Sequence, residues 1–182
     1  HYVIKLLFKY SDQQQKQALV SNLINTHSIL SLLQNPFGRH VFDTITSTRN
    51  NDNVFQLYMI LLIDALKNEI NQPSKDNALQ EILFTPKGSD SLQKVLELRL
   101  PFERVSFLAN IIESNLLELS IHKIACHFVQ KFINIYGDRL NVNKLFNGND
   151  NNDDYLTICN EVHGNYTIQE MLRENKWYST TN

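Results

Sequence analysis

The sequence is short of cysteine, proline, glycine, long apolar runs and positive charge, and each shortage removes a class of protein. Cys126 and Cys159 are the whole cysteine complement of 182 residues. That excludes a disulfide-stapled scaffold and fits a reducing compartment, with the cytoplasm the expected location and the nucleus or nucleolus the alternative. No stretch approaches the ~20 consecutive apolar residues of a membrane helix, so no membrane role is expected. The chain opens at His1 with no signal-peptide pattern behind it, and we expect it to be a piece of a longer protein. Basic residues number 17 against 19 acidic ones, for a formal net charge of −2. That balance does not point to nucleic acid, because phosphate contacts ordinarily come from a basic surface. No glycine-rich phosphate loop and no distinctive carboxylate pair is present. With five glycines and four prolines, few positions interrupt a helix.

What is present is apolar spacing of helical type. Hydrophobic residues make up 42% of the chain, enough for one compact domain or a short repeat array. Apolar residues recur at intervals of three and four, as at Ala18-Leu19, Leu23-Ile24 and from Leu57 to Leu66. This predicts an all-α fold, with no alternating strand pattern. Interruptions rich in Asn and Asp, Arg49 to Asn53, Asn71 to Asn77 and Asn147 to Asp154, read as loops between helices.

A hexapeptide pattern recurs in the same phase. Gly164 to Gln169 aligns with Gly38 to Asp43, Gly88 to Gln93 and Ala125 to Gln130, and His1 to Lys5 fits the same frame without its lead-in. Anchored on the residue after the small one, copies begin at 1, 39, 89, 126 and 165, at intervals of 38, 50, 37 and 39. The long interval contains two of the polar loops, where an insertion is tolerated. Third and fourth positions carry Val3-Ile4, Val41-Phe42, Ser91-Leu92, Phe128-Val129 and Thr167-Ile168. Seventh and eighth positions carry Leu7-Phe8, Ile45-Thr46, Val95-Leu96, Phe132-Ile133 and Met171-Leu172. On a helix these four positions share one side and form the expected core face. Positions one, two and five lie together on another side, the first and fifth a turn apart. Proline turns before two anchors, Asn35-Pro36-Phe37-Gly38 and Thr85-Pro86-Lys87-Gly88, are expected to end one helix and start the next. Such units bury their faces only by stacking into a solenoid.

A helical repeat of this length, with a five-residue reading motif in five in-phase copies, resembles the Pumilio (Puf) RNA-binding repeat over essentially all of residues 1–182. The resemblance implies an all-α right-handed solenoid of three-helix repeats, four to five in number with the first truncated. It also implies single-stranded RNA read at about one base per repeat. First and fifth motif residues are expected to meet base edges, and the second to stack between bases. On that basis Asn165 with Gln169 matches the uracil-reading pair, stacked by Tyr166. Cys126 with Gln130 matches the adenine-reading pair, stacked by His127. Ser89 with Gln93 is also of adenine type, with Asp90 as a poor stacker. Arg39 and Asp43 fit no standard pair, with Arg39 able to stack or bind phosphate and His40 in the stacking slot. His1 and Lys5 fit none, with Tyr2 as stacker. RNA in the family runs antiparallel to the protein, which implies a core resembling 5′-UAA.

The resemblance further implies action on messenger RNA untranslated regions through repression, decay or localisation, with protein effectors on the convex face. A nucleolar relative binding ribosomal precursors is the alternative within RNA biology, and a HEAT- or armadillo-like protein scaffold the alternative outside it. Glutamine at position five in three copies, Gln93, Gln130 and Gln169, separates the RNA reading from the scaffold. A locally basic concave side, with Lys5, Arg39, Lys87, Lys123 and Lys131 converging, would be the further sign. No enzyme is expected, and no cofactor, metal or small-molecule substrate. His122 and His127 stand five apart around Cys126, which does not place both rings on one helical face, so they are read as capping or stacking. Adjacent Cys126 and His127 point apart and make no Cys-His nucleophile. The sequon Asn165-Tyr166-Thr167 falls inside a predicted helix and is read as accidental.

Overall fold

The computed structural model describes residues 2–26, 28–47, 53–70, 78–140 and 153–173. His1 and most of the three Asn/Asp-rich interruptions lie outside those residues, although Asn53 opens one helix and Asp153-Asp154 another. The elements among the described residues are α1 Tyr2–Tyr10, α2 Gln13–Thr26, α3 Ile29–Gln34, α4 Pro36–Ser47, α5 Asn53–Ile70 and α6 Ala78–Leu83. Then follow α7 Pro86–Glu97, α8 Phe102–Ser114, α9 Leu116–Ile121, α10 Ala125–Tyr136, a 3₁₀ turn Gly137–Arg139, α11 Asp153–Asn160 and α12 Val162–Arg173. No strand occurs among the described residues.

The order carries a period of three helices. A long helix, a six-residue helix and a twelve-residue motif helix succeed one another as α2-α3-α4, α5-α6-α7 and α8-α9-α10. Each expected motif helix is found, and α12 again has twelve residues. The chain divides into two compact units, His1–Ile82 and Leu83–Asn182. In the first, α1 and α3 pack on α4, and α2 and α3 pack on α5. In the second, α10 packs between α7 and α12, while α9 lies against α8, α10, α11 and α12.

The residue four before the anchor starts the motif helix in three repeats. Asn35 Oδ1 accepts from the amides of Phe37 at 2.8 Å and Gly38 at 3.1 Å, and Thr85 Oγ1 accepts from Gly88 at 3.2 Å. Proline follows both, where its missing N–H costs nothing. The proline turns therefore act as expected, ending α3 and α6 and opening α4 and α7. In the third repeat His122 takes the same place, its Nδ1 accepting from Ile124 and Ala125 at 3.2 Å each. Its ring also lies against Phe84, centroids 4.3 Å apart, so His122 both caps and stacks. Burial, and then the charge of Lys123, lower its pKa from 6.5, as suits a nitrogen that must stay unprotonated to accept.

Glycine is required where α4 crosses α3 and where α12 crosses α11. A Cβ on Gly38 would come within 2.6 Å of the Leu32 carbonyl oxygen, and one on Gly164 within 2.3 Å of that of Ile158. Backbone cannot yield as a side chain can. In the first unit, Glu69 near the end of α5 accepts from Ser28 Oγ at 2.6 Å and from the amides of Ile29 at 2.6 Å and Leu30 at 3.0 Å. This satisfies the N-terminal donors of the short α3, which could not persist alone.

The expected core face holds in the inner motif helices. Ser91, Leu92, Val95 and Leu96 are buried in α7, as are Phe128, Val129, Phe132 and Ile133 in α10. Tyr136 continues the aromatic row and donates its hydroxyl to the Leu100 carbonyl at 2.7 Å. The pattern fails at two ends. Val3 is 67% exposed and Leu7 45%, leaving Phe8 as the buried residue of α1, and Leu172 of α12 is exposed. Those side chains have the right phase, but no long and short helix pair is described against that side of α1.

Candidate RNA interface

Packing α10 between α7 and α12 sets three motif helices side by side. They form an open groove of about 500 Å³ lined by Gln93, His127, Gln130, Lys131, Asn134 and Glu170. Three residues expected from the motif thus meet in one place: the fifth-position glutamines of α7 and α10 and the second-position imidazole of α10. His127 is exposed and both glutamines are half-buried, so ring face and amide ends are accessible.

The first motif position departs from expectation. Ser89 and Cys126 are each only 1% exposed, whereas Asn165 is exposed. In α7 and α10 the short first side chain lies beneath its surroundings, with the glutamine one turn later above it: Gln93 Nε2 donates to Ser89 Oγ at 3.2 Å. Helical phase aimed these residues correctly, but a short side chain between packed helices does not reach the surface. Burial also raises the Cys126 thiol pKa, the opposite of what an activated nucleophile needs. Among the described residues, no group of His, Cys, Asp or Glu could hold a metal ion.

In α12 all three motif side chains are exposed, Tyr166 at 58%. Asn165 Nδ2 donates to the Cys159 carbonyl at 3.0 Å, and Gln169 Nε2 donates to Asn165 Oδ1. These three residues do not line the groove, although their neighbour Glu170 does. Asp90 is exposed and engaged by Lys94 at 3.0 Å. In the first unit Tyr2 and His40 are exposed on α1 and α4, and Arg39 and Asp43 are half-buried and have polar partners.

Apart from Lys131, sequence reasoning missed a second row of groove residues, at motif positions six and nine. Lys131 pairs with Glu97 of the preceding motif helix. Asn134 donates to Glu170 of the following one at 2.9 Å, and Glu170 also holds Arg173 at 2.8 Å. A ninth residue thus meets the sixth residue of the next helix in both steps. The signal was available as opposite or complementary polarity at these two motif offsets. The basic concentration expected on this side is not found in the second unit: Lys131 is paired, and Lys87 and Lys123 are exposed but do not line the groove.

A family model described as the Pumilio-family RNA binding repeat matches residues 1–24 and 115–147. The first segment holds α1 and most of α2, and the second holds α9 and α10 with the His122 cap and the Cys126–Gln130 motif. No curated protein matches the chain. Among solved structures, one of a Puf4 mutant bound to a Cox17 RNA 3′ UTR recognition sequence is similar, at 13% identity and a TM-score of 0.45. It covers 99% of this chain and 74% of that one. Two segments of the chain thus match the Pumilio-family RNA binding repeat, and a three-helix period runs through its described residues.

Proposed function

We propose that the chain binds single-stranded RNA with sequence selectivity, reading about one base per motif helix and performing no catalysis. The observation that carries this reading is the groove in which Gln93 and Gln130, from successive motif helices, stand with His127. Amide ends match the donor and acceptor pattern of a base edge, and an imidazole face supports a base by stacking. Tyr166 offers a larger exposed ring one repeat on. Since the groove's lysine is already paired with Glu97, affinity rests more on base contacts than on phosphate neutralisation. The finer reading is action on messenger RNA 3′ untranslated regions in the cytoplasm, with preference for a core resembling 5′-UAA and protein effectors recruited elsewhere on the surface.

Selection from a random single-stranded RNA pool at moderate salt tests the proposal. Recovery of a short motif containing UAA is the expected result. A different short motif would keep RNA binding and discard the pairing of side chains with bases. If no sequence is enriched, with this chain or with a longer one containing it, the protein-scaffold reading replaces it.

A further inference from the structure

The three fifth-position glutamines are not held alike. Asn165 Nδ2 donates to the Cys159 carbonyl, which can only accept. That bond fixes the Asn165 amide with Oδ1 toward Gln169, and Gln169 Nε2 donates to it. The backbone thereby fixes the Gln169 amide through one intermediate, leaving its Oε1 and second N–H to face a ligand. Gln93 is held by Ser89 Oγ, but a hydroxyl rotates to donate as readily as it accepts. Either end of the Gln93 amide is satisfied there. Gln130 has Cys126 at the corresponding place, and a thiol is a weak donor and acceptor. No bond joins Cys126 to Gln130 among the described residues.

We propose that the first motif residue is a positioning residue for the fifth-position glutamine, and that base selectivity is graded by it: strict at the α12 repeat, where the amide is held one way round, and loose at α7 and α10, where it is not. A held amide presents one donor and acceptor pattern, whereas a free one turns over and serves two. The inference rests on the RNA-binding reading above and adds what that reading lacks, a reason for repeats sharing a glutamine to differ in stringency. Turning a held amide forfeits one hydrogen bond, which corresponds to roughly a two- to tenfold change in discrimination.

The test has two arms, both on the 182-residue chain. In the free protein, side-chain amide resonances of the three glutamines are compared by NMR. Gln169 is expected to show dispersed, slowly exchanging NH2 signals and Gln130 signals near those of an unrestrained amide. Indistinguishable behaviour of the two overturns the positioning role whether or not RNA binds. In the second arm, affinities are measured for RNAs in which one position at a time is varied through all four bases. Discrimination is expected to be highest at the base facing α12. Asn165→Ser, which exchanges the held amide for a hydroxyl that serves either end, should lower it there by roughly two- to tenfold. Equal discrimination at all three positions, or a profile unmoved by Asn165→Ser, overturns the grading. Failure of every RNA to bind counts instead against the RNA reading, and the NMR arm still decides the positioning.

Discussion

Helices α1 and α10 carry the same motif in the same phase, yet α10 buries its third, fourth, seventh and eighth residues while α1 buries the eighth alone. The difference lies in neighbours. Helix α10 has α7 and α12 on its flanks and α9 behind it, whereas the contacts described for α1 are chiefly with α4. A repeat's sequence therefore specifies which side of a helix is to be covered, and the adjoining repeat supplies the cover. The same contrast separates the reading positions. First residues in α7 and α10 are enclosed, and the one in α12 is open.

Truncating a core aromatic should expose this contrast most strongly. Phe132→Ala is expected to destabilise the protein by about 3–5 kcal/mol, while Leu7→Ala, half-exposed on α1, should cost less than about 1 kcal/mol. Denaturant melts of the two variants check it, and equal losses would mean that α1 is covered as α10 is. Close crossing provides the next comparison. Gly164→Ala forces a Cβ against the Ile158 carbonyl and should cost about 1–3 kcal/mol, whereas Ala125→Gly at the corresponding place of α10 should cost only about 0.5–1 kcal/mol. A reversed order of melting temperatures would sink the equivalence of these positions.

The stacking slots differ in exposure and ring size. Tyr166→Ala should weaken binding of the selected RNA by roughly 1–3 kcal/mol, without changing the thermal melt. A smaller loss is expected for His127→Ala, and titration of both variants with that RNA decides it.

The smallest effect concerns the caps of α4 and α10, Asn35 and His122, which do the same work with different chemistry. The pKa of His122 is lowered in the fold, so the unfolded chain takes up its proton first as pH falls through about 6.5. Stability contributed by this cap is therefore full above that pH and declines below it. His122→Asn, copying Asn35, should flatten that part of the stability–pH profile. An unchanged slope would mean that another group causes it.

Much of this was legible because it is local. The anchors at 39, 89, 126 and 165, the motif helices, the proline turns at Pro36 and Pro86 and the capping by His122 all follow from residues within a turn or two of one another. What was not legible depends on partners far along the chain. Glu69 reaches Ser28 from 41 residues away, Lys131 reaches Glu97 across 34 and Asn134 reaches Glu170 across 36. The burial of Ser89 and Cys126 likewise depends on packed neighbours, while helical phase reports only direction. The bare face of α1 was missed for the same reason.

The central claim is that fifth-position glutamines meet RNA bases, and a binding titration with the selected RNA and the double variant Gln93→Ala/Gln130→Ala tests it most directly. The account predicts a fold intact by circular dichroism, affinity lowered at least tenfold, and a shallow salt dependence in both proteins, since few phosphates are neutralised. Unchanged affinity in the double variant, or binding that collapses with modest salt, would contradict it.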